Sequence, residues 1–367
     1  MHPFCAMACA LVLALGQWPA AAAAADFIRE NLRVAMPAAG PRGLEALLVR
    51  ADEPGRHPLV LINHGSPRDG AQRTEMTPLA LLPPAMEFVR RGWTAAIVMR
   101  RGFGDSGGGF AEDKGPCRDP DYLRAAAASA ADLKAAIGFL ARRPDIDATR
   151  IISVGVSAGG FATVALTADP PPGLVAGVSF AGGRGSDSPD TVCRDDKLVE
   201  AFGALGKRSR LPMLWVYAQN DHFFGPALAQ KLREAFTGAG GKVAFVAAPP
   251  FGTDGHGLFS TAGIPQWAPL VDDFLKSQNL VLRPSPLPPP APPDIPPPPR
   301  LSANGRKAFA DFLVGAPHKA FAMSSTGAFG WRTGRRTVEA AKADALAACP
   351  PPATDCRVIA VDDTAVP

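Results

Sequence analysis

The stretch that constrains this chain most is residues 151–161, which read IISVGVSAGGF. A β-branched run leads into Gly-Val-Ser-Ala-Gly, and an alanine-rich helical pattern follows. This order predicts a strand, a sharp turn and a helix, with Ser157 at the apex. Gly155 and Gly159 lie two positions to either side, where the backbone folds back and leaves no room for a side chain. We therefore expect the Ser157 hydroxyl to stand clear of the sheet, with the Ala158 amide pointing the same way.

A serine hydroxyl is a weak nucleophile at neutral pH, so a catalytic Ser157 needs a base and an acid elsewhere in the chain. His256 lies between two glycines after the last predicted strand, in a loop that can carry its ring over the sheet. Asp221 ends the preceding predicted strand, where its carboxylate can accept the imidazole N–H and set the tautomer. The rival acid is Asp254, although it lies very close to His256 in sequence. The rival base is His222, which is adjacent to Asp221.

Alternating strand and helix patterns predict the architecture of the long N-terminal part. Continuous apolar runs are typical of strands buried on both faces, and they occur at 58–63, 94–99, 174–180 and 211–218. Helical patterns accompany them at 86–91, 121–142, 226–236 and 266–278. Two further strand patterns, 28–36 and 43–49, are expected to form an opening hairpin. The whole predicts an α/β fold with a mostly parallel sheet and helices on both faces.

The composition changes abruptly near residue 283, where most residues become proline and the hydrophobic period disappears. We expect an extended, semi-rigid polyproline II spacer there. Short helix and strand patterns follow it and predict a small C-terminal α+β module, with 320–329 as a strand broken by Gly327. The expected organisation is a signal peptide at 1–25, a catalytic domain at 26–282, a linker at 283–300 and an accessory module at 301–367.

The first 25 residues contain no Lys, Arg, Asp or Glu, and their apolar run at 4–15 is too short to span a bilayer. Small residues at 20–25 precede Asp26, which indicates a secretory signal cleaved near Ala25. An uncleaved membrane anchor is the alternative. Since no other stretch is apolar enough to cross a membrane, we expect an exported protein, periplasmic or secreted, without a transmembrane segment.

Removal of such a signal leaves four cysteines: Cys117, Cys193, Cys349 and Cys356. An even number in an exported protein favours disulfides. Of the three pairings that four cysteines allow, we favour Cys117–Cys193 and Cys349–Cys356, because the proline-rich segment separates the two pairs. A zinc site is the alternative, but there is no Cys-x-x-Cys motif and no histidine at ligand spacing.

Charge and glycine patterns exclude two other classes of partner. The net charge of +4 over 367 residues is too small to suggest a nucleic-acid surface. Gly102, Gly104 and Gly107 match a dinucleotide-binding fingerprint after a strand. However, a polar loop follows instead of a helix, and an alanine-rich helix stands where a ribose-binding acid is required. We therefore expect no nucleic-acid partner and no nucleotide cofactor.

The order Ser157, Asp221, His256 is the order of an α/β-hydrolase triad, and residues 43–278 resemble that superfamily. They are most similar to its dienelactone hydrolase-like and related esterase and peptidase branch. The resemblance is carried by HGSP at 64–67, RGFGDS at 101–106, GVSAG at 155–159, ND at 220–221 and GHG at 255–257. Dienelactone hydrolases proper carry a cysteine nucleophile, so Ser157 favours ordinary ester hydrolysis.

The resemblance also implies roles for the loop after the strand at 58–63. The Ser66 amide is expected to join that of Ala158 as the second oxyanion donor, and His64 to brace the loops without transferring protons. A Cys117–Cys193 bond would tie two loops above the pocket. The short insert at 182–210 predicts a small cap and an open site, suited to a modest or protruding substrate group.

These observations predict a serine hydrolase that cleaves a small-molecule ester through an acyl-enzyme, without a metal or organic cofactor. A peptidase or amidase with the same triad is one alternative, and a non-catalytic envelope-binding protein on a hydrolase scaffold is another. The C-terminal module contains no catalytic constellation and resembles small secreted modules of bacterial envelope proteins. Its contact with the cell envelope or a polymer, and a purely structural role, are both open.

Overall fold

The computed structural model describes residues 26–366, so the expected signal segment at 1–25 lies outside the described residues. The strands of the larger part are β1 (Phe27–Val34), β2 (Leu44–Ala51), β3 (His57–Asn63), β4 (Thr94–Val98), β5 (Ile146–Val156), β6 (Leu174–Phe180), β7 (Ser186–Ser188), β8 (Thr191–Val192), β9 (Pro212–Ala218) and β10 (Lys242–Ala248). Its helices are α1 (Leu82–Arg90), α2 (Tyr122–Leu140), α3 (Ala158–Ala168), α4 (Asp195–Gly206), α5 (Pro226–Gly238) and α6 (Ile264–Ser277).

Eight of these strands form one twisted sheet in the order β1-β2-β4-β3-β5-β6-β9-β10. The β1–β2 hairpin and the β2–β4 pair are antiparallel. All other neighbouring pairs in this sheet order are parallel. The predicted α/β fold is therefore confirmed. Because the carboxyl ends of parallel strands meet at one edge, the loops after β3, β5, β9 and β10 converge there.

Helices cover both faces of this sheet, as expected for strands that are apolar on both sides. Helices α1 and α6 pack on one face, where the rings of Phe88 and Trp267 stack with centroids 6.2 Å apart. Helices α2 to α5 pack on the other face, where Trp215 lies between Phe202 and Phe236. Burying a Phe side chain stabilises a fold by about 1.5–3 kcal/mol, so these aromatic residues anchor both layers.

The segment between β6 and β9 contains more structure than the sequence predicted. Its first part is the β7–β8 hairpin, and its second part is α4, a helix that the sequence analysis did not predict. Leu198 and Phe202 of α4 are buried against the sheet layer. Most of the insert therefore belongs to the helical layer, and the hairpin is the part that remains near the carboxyl edge of the sheet.

The C-terminal module contains α7 (Ala303–Leu313), β11 (Ala320–Met323), β12 (Phe329–Arg332), α8 (Val338–Ala347), β13 (Arg357–Val361) and β14 (Thr364–Ala365). Its strands form an antiparallel sheet in the order β12-β11-β13-β14. The sequence predicted a strand at 320–329 that is broken by Gly327. The structure has two, because the chain reverses at Gly327, which has a φ of +91° and donates its amide to Ser324. The predicted α+β module is thus confirmed.

The proline-rich segment is not a free spacer in the structure. Leu287 donates its amide to the Arg90 carbonyl at 2.8 Å, and the Arg90 guanidinium donates to the Leu287 carbonyl at 2.6 Å. Leu287 packs on the core beside α1, and Ile295 packs on the core of the C-terminal module. A few apolar side chains among the prolines therefore attach the segment to the two cores.

Among residues 26–366, no helix is both long and apolar enough to cross a membrane.

Candidate active site

Ser157 sits at the tight turn between β5 and α3. Its φ of 56° and ψ of −123° are strained for a non-glycine residue, at a cost of about 1–3 kcal/mol. A Cβ at Gly155 would lie 2.1 Å from the Gly159 carbonyl oxygen, and a Cβ at Gly159 would lie 2.2 Å from that of Asn63. Packing of α3 against β3 and β5 thus requires both glycines and leaves Ser157 at the carboxyl edge of the sheet.

Asp221 follows β9, and His256 lies in a short 3-10 turn after β10. The Nδ1 atom of His256 lies 3.1 and 3.2 Å from the two carboxylate oxygens of Asp221, so its N–H donates there and Nε2 is left as the acceptor. Asp221 also accepts the amides of Phe223 and Phe224 at 2.7 and 2.9 Å. Burial by itself raises the pKa of Asp221, but the hydrogen bonds from His256 and from these two amides lower it below its ordinary value.

The two rival residues make other contacts. One carboxylate oxygen of Asp254 accepts the amides of His222 and His256, at 3.1 and 2.9 Å, and so shapes the loop. The ring of His222 faces Asp190 of the β7–β8 hairpin at 3.0 Å, and its pKa is raised mainly by that hydrogen bond. In this structure Asp254 therefore binds backbone amides, while His222 links the hairpin to the β9 loop.

The Ser157 hydroxyl makes no hydrogen bond to any residue in the described range 26–366, so the serine–histidine contact of a triad is not formed here. The His256 ring instead stacks on Phe223, with centroids 3.8 Å apart and an interplanar angle of 11°. The Arg68 guanidinium lies 3.5 Å from the centroid of the Phe223 ring. Catalytic hydrogen bonds are often long in free enzymes and shorten when substrate binds, so this geometry is compatible with a resting triad.

The two candidate oxyanion donors, the amides of Ser66 and Ala158, belong to residues that line the same cavity as Ser157. Gly65 lies against Ser157, since a Cβ built on Gly65 would be 3.2 Å from the Ser157 Cβ. The amide of Ser66, the next residue, therefore also lies near Ser157. Ala158 begins α3, where amides have no intrahelical acceptor. Within the described part of the chain, neither amide donates a hydrogen bond. Both are therefore available to an incoming oxygen atom.

A buried ionic cluster beneath the site was not found by sequence reasoning. Glu112 is 0% exposed and pairs with two arginines, Arg100 and Arg184, that are also buried. Burial by itself raises the pKa of Glu112, but the charges of the two arginines lower it to about 2. The one sequence signal is that Arg100 and Arg184 closely follow the carboxyl ends of β4 and β6, where charged residues border a ligand site.

His64 belongs to this cluster. Its Nε2 accepts the Arg100 amide at 3.0 Å, and its Nδ1 donates to the Gly65 carbonyl at 2.6 Å. Burial, followed by the charge of Arg100, lowers the pKa of His64 to about 3. Both ring nitrogens are thus occupied and the ring is neutral at neutral pH, as suits a side chain that braces the loop before Ser66.

A cavity of about 210 Å³ opens beside Ser157, Ala158 and Ser66. Two segments form much of its wall: residues 110–115 after β4 and residues 183–186 after β6. A disulfide joins Cys117 to Cys193, just beyond the ends of these segments, with Cα atoms 4.8 Å apart. The Cys193 amide also donates to the carbonyl of Gly185, which lines the cavity. The walls of the cavity are thus covalently tied together.

The second disulfide joins Cys349 to Cys356 in the C-terminal module. Both bonds are the pairs favoured from the sequence. Cys117, Cys193 and Asp187 form the one cluster of metal-ligand types in the residues that the structure describes. Because the disulfide consumes both thiols, Asp187 is the one ligand that this cluster still offers, and a zinc site needs three or four.

Comparison of the sequence with known protein families identifies the family of this chain. The sequence profile of the X-Pro dipeptidyl-peptidase (S15) family matches residues 44–234, just over half of the chain. No curated protein matches the sequence.

The fold is similar to those of several solved hydrolases. A protein assigned as a dienelactone hydrolase from Klebsiella pneumoniae is 17% identical, with a TM-score of 0.45 over 68% of this chain and 99% of that one. The esterase Pf2001 from Pyrococcus furiosus is 16% identical, with a TM-score of 0.46 over 69% and 90%. A protein assigned as a dipeptidyl aminopeptidase IV from Bacteroides ovatus is 15% identical, with a TM-score of 0.51 over 70% of this chain and 36% of that one. At such identities the last similarity supports the hydrolase fold alone.

Proposed function

The chain belongs to the X-Pro dipeptidyl-peptidase (S15) family of α/β-hydrolases, and we propose that it is a serine hydrolase that cleaves carboxylic esters. The observation that carries the proposal is the hydrogen-bonded pair of Asp221 and His256 on loops at the same sheet edge as the strained Ser157 turn. Two unoccupied amides beside Ser157 support it further. The small, open cavity suits a short acyl group.

In the proposed reaction the Ser157 hydroxyl attacks the ester carbonyl carbon, and Nε2 of His256 accepts its proton. Asp221 holds the ring through Nδ1 and stabilises the imidazolium. The amides of Ser66 and Ala158 donate to the oxygen of the tetrahedral intermediate, a contribution of a few kcal/mol per donor. His256 then protonates the leaving alcohol. Water, activated by His256, finally hydrolyses the acyl-enzyme and restores Ser157.

A fluorophosphonate probe and p-nitrophenyl acetate test this proposal on the purified protein. We expect wild type to be labelled and to hydrolyse the ester, and Ser157→Ala or His256→Ala to lose at least about 10³-fold in kcat. Thermal unfolding of these variants should change little. If wild type neither reacts with the probe nor hydrolyses the ester, the protein is not a serine hydrolase, and a binding role on this scaffold gains support.

Asp221→Asn and Asp254→Asn separate the two candidate acids. Asp221→Asn should lower kcat by about 10³–10⁴-fold, because the neutral amide no longer holds the imidazolium. Asp254→Asn keeps an oxygen that can accept the loop amides, so we expect a loss of less than about 10-fold. The reverse order of effects would assign the acid to Asp254.

A peptidase of the same mechanism is the second candidate, and the match to the S15 family profile favours it. An amide has a poorer leaving group than an ester, so protonation by His256 becomes more important. Ala-Pro p-nitroanilide and p-nitrophenyl acetate distinguish the two. A higher kcat/KM on the anilide would make the protein a peptidase, whereas turnover of the ester alone supports the esterase proposal.

We also propose that the protein is exported, to the periplasm or the outside of the cell. The apolar segment at 1–25 and the two disulfides support this, because disulfides persist in oxidising compartments. The mature N-terminus of protein recovered from that compartment is the test. A terminus near Asp26 is expected, and an intact Met1 would contradict cleavage.

A further inference from the structure

The cavity beside Ser157 carries an excess of positive charge. Four cationic side chains and two carboxylates line it, for a net charge of +2: Arg68, Arg73, Lys114, Arg184, Glu112 and Asp113. Of the carboxylates, Glu112 is already shared between Arg184 and Arg100, a further buried cation behind the wall. An anionic substrate group entering the cavity therefore meets a positive field that protein carboxylates do not cancel.

Three of these cations have no carboxylate partner in the described residues. The Arg73 guanidinium lies 4.0 Å from the Phe110 ring centroid, and its N–H groups donate no hydrogen bond within residues 26–366. Arg68 donates to the Ser186 hydroxyl and the His222 carbonyl, both neutral acceptors. The ammonium of Lys114 reaches the neutral carbonyl of Gly115 at 3.3 Å. These cations are positioned by neutral contacts and keep their charges free for a ligand.

The fourth cation is the most constrained. Arg184 is 7% exposed, and its Nε is buried without a hydrogen-bond partner among the described residues. Its other nitrogens bind the side chain and the carbonyl of Glu112. Since one buried carboxylate faces both Arg100 and Arg184, one positive charge stays uncompensated. Uncompensated buried charge is costly, and an anion in the cavity would relieve it.

We propose that the natural substrate carries a carboxylate on the acyl group that fills this cavity, an inference that rests on the proposed esterase function. Arginine matches a carboxylate because its planar N–H groups can bind both oxygens. Ligand pockets usually enclose about 300–1,000 Å³, and this cavity of about 210 Å³ is smaller. The acyl group is therefore short, as in a half-ester of a small dicarboxylic acid. The same field disfavours an unblocked dipeptide, whose amino terminus is protonated.

Two methyl esters of equal chain length test the inference. Monomethyl glutarate carries the carboxylate, methyl pentanoate replaces it with a methyl group, and methanol release measures both reactions. We expect wild type to favour monomethyl glutarate at least about 10-fold in kcat/KM, and 0.5 M NaCl to reduce that preference. Arg73→Gln should lower the preference at least about 5-fold, and Arg73→Lys should restore part of it.

Arg142 provides the matched control. It also lies near a phenylalanine ring, at 5.7 Å from the Phe139 centroid, and has no carboxylate partner in the described chain. It follows α2, however, at the opposite edge of the sheet from Ser157. Arg142→Gln should leave the preference unchanged. Equal kcat/KM for the two esters in wild type, or equal effects of Arg73→Gln and Arg142→Gln, would overturn the inference and leave ester hydrolysis intact.

Calorimetric binding of glutarate keeps the two proposals separate. If neither methyl ester nor p-nitrophenyl acetate is hydrolysed, the proposed function fails, and glutarate binding to wild type then decides the inference. Binding that weakens at least about 5-fold in Arg73→Gln, but not in Arg142→Gln, would retain a carboxylate site. Absence of binding in that case would overturn both proposals.

Discussion

At the scale of single residues, the site depends on side chains that take no part in the proposed bond-making steps. Phe223 holds the His256 ring by stacking, and the amides of Phe223 and Phe224 hold the carboxylate that orients it. His64 supports the opposite side, where its ring accepts the Arg100 amide beside the loop that contains Ser66. Because the His64 ring is neutral and both of its nitrogens are hydrogen-bonded, we expect the fold to lose stability in acid.

The pH dependence of stability tests the role of His64. Its pKa is lowered from 6.5 to about 3 in the folded protein. Between those values the unfolded chain binds a proton that the native state excludes, so the free energy of unfolding falls as the pH falls. One proton corresponds to a slope of at most about 1.4 kcal/mol per pH unit. Urea unfolding of wild type and His64→Gln from pH 7 to pH 4 should show a smaller slope in the variant.

His222 serves as the control for this measurement. It is exposed, and Asp190 raises its pKa, so its contribution to stability is present at low pH and is lost as the pH rises. The pH dependence of this contribution is therefore opposite in sign to that of His64. His222→Gln should therefore leave the loss of stability toward acid in place. An unchanged slope in His64→Gln would show that other groups cause the acid sensitivity.

At the scale of elements, the Cys117–Cys193 bond connects two loops that leave the carboxyl ends of different parallel strands. The bond spans 76 residues. A cross-link over a long loop restricts the unfolded chain, and it also limits how far the cavity walls can separate. These walls carry Lys114 and Arg184, so the spacing of the cationic groups depends on the bond.

Replacing both cysteines by serine should lower the free energy of unfolding by about 2–4 kcal/mol, as measured by urea unfolding without reductant. We also expect a higher KM for esters, because the walls move more freely. Cys349→Ser with Cys356→Ser is the matched control. That bond closes a short loop in the other module, so its loss should leave KM unchanged. Equal effects of the two double variants on KM would contradict the proposed role of the first bond.

At the scale of the whole molecule, the C-terminal module contacts the catalytic part close to the cavity. Arg336 forms an ion pair with Glu45 at 3.1 Å and also donates to the Met76 carbonyl. Glu45 in turn accepts the Asp105 amide at 2.7 Å. The module thus binds the two segments that lead to the cavity residues Arg73 and Phe110. The expectation that it also binds an envelope polymer stays a prediction.

Arg336→Gln should loosen these segments. We expect faster amide hydrogen exchange in residues 70–80 and 101–110, with a KM for esters raised by about 3–10-fold, because Arg73 and Phe110 are held less firmly. Arg335→Gln is the matched control, since Arg335 pairs with Asp344 inside the module. If both variants change exchange equally, the effect comes from the stability of the module and not from its contact with the catalytic part.

The sequence by itself determined the α/β architecture, most helices and strands, the Ser157 turn and the candidate partners Asp221 and His256. These features depend on local patterns, such as apolar runs, helical periods and glycines that a sharp turn requires. Such patterns also separated the C-terminal module from the larger part. They could not predict α4, where glycines interrupt a short helical pattern.

Only the tertiary structure decided how distant loops meet at the sheet edge. It turned Asp254 toward backbone amides and His222 toward Asp190, it stacked Phe223 on His256, and it docked the proline-rich segment on α1. It also gathered the arginines around Glu112 and the cavity. Charged loop residues follow no period, and their contacts span many residues of sequence, so their pairing is set by the topology of the sheet.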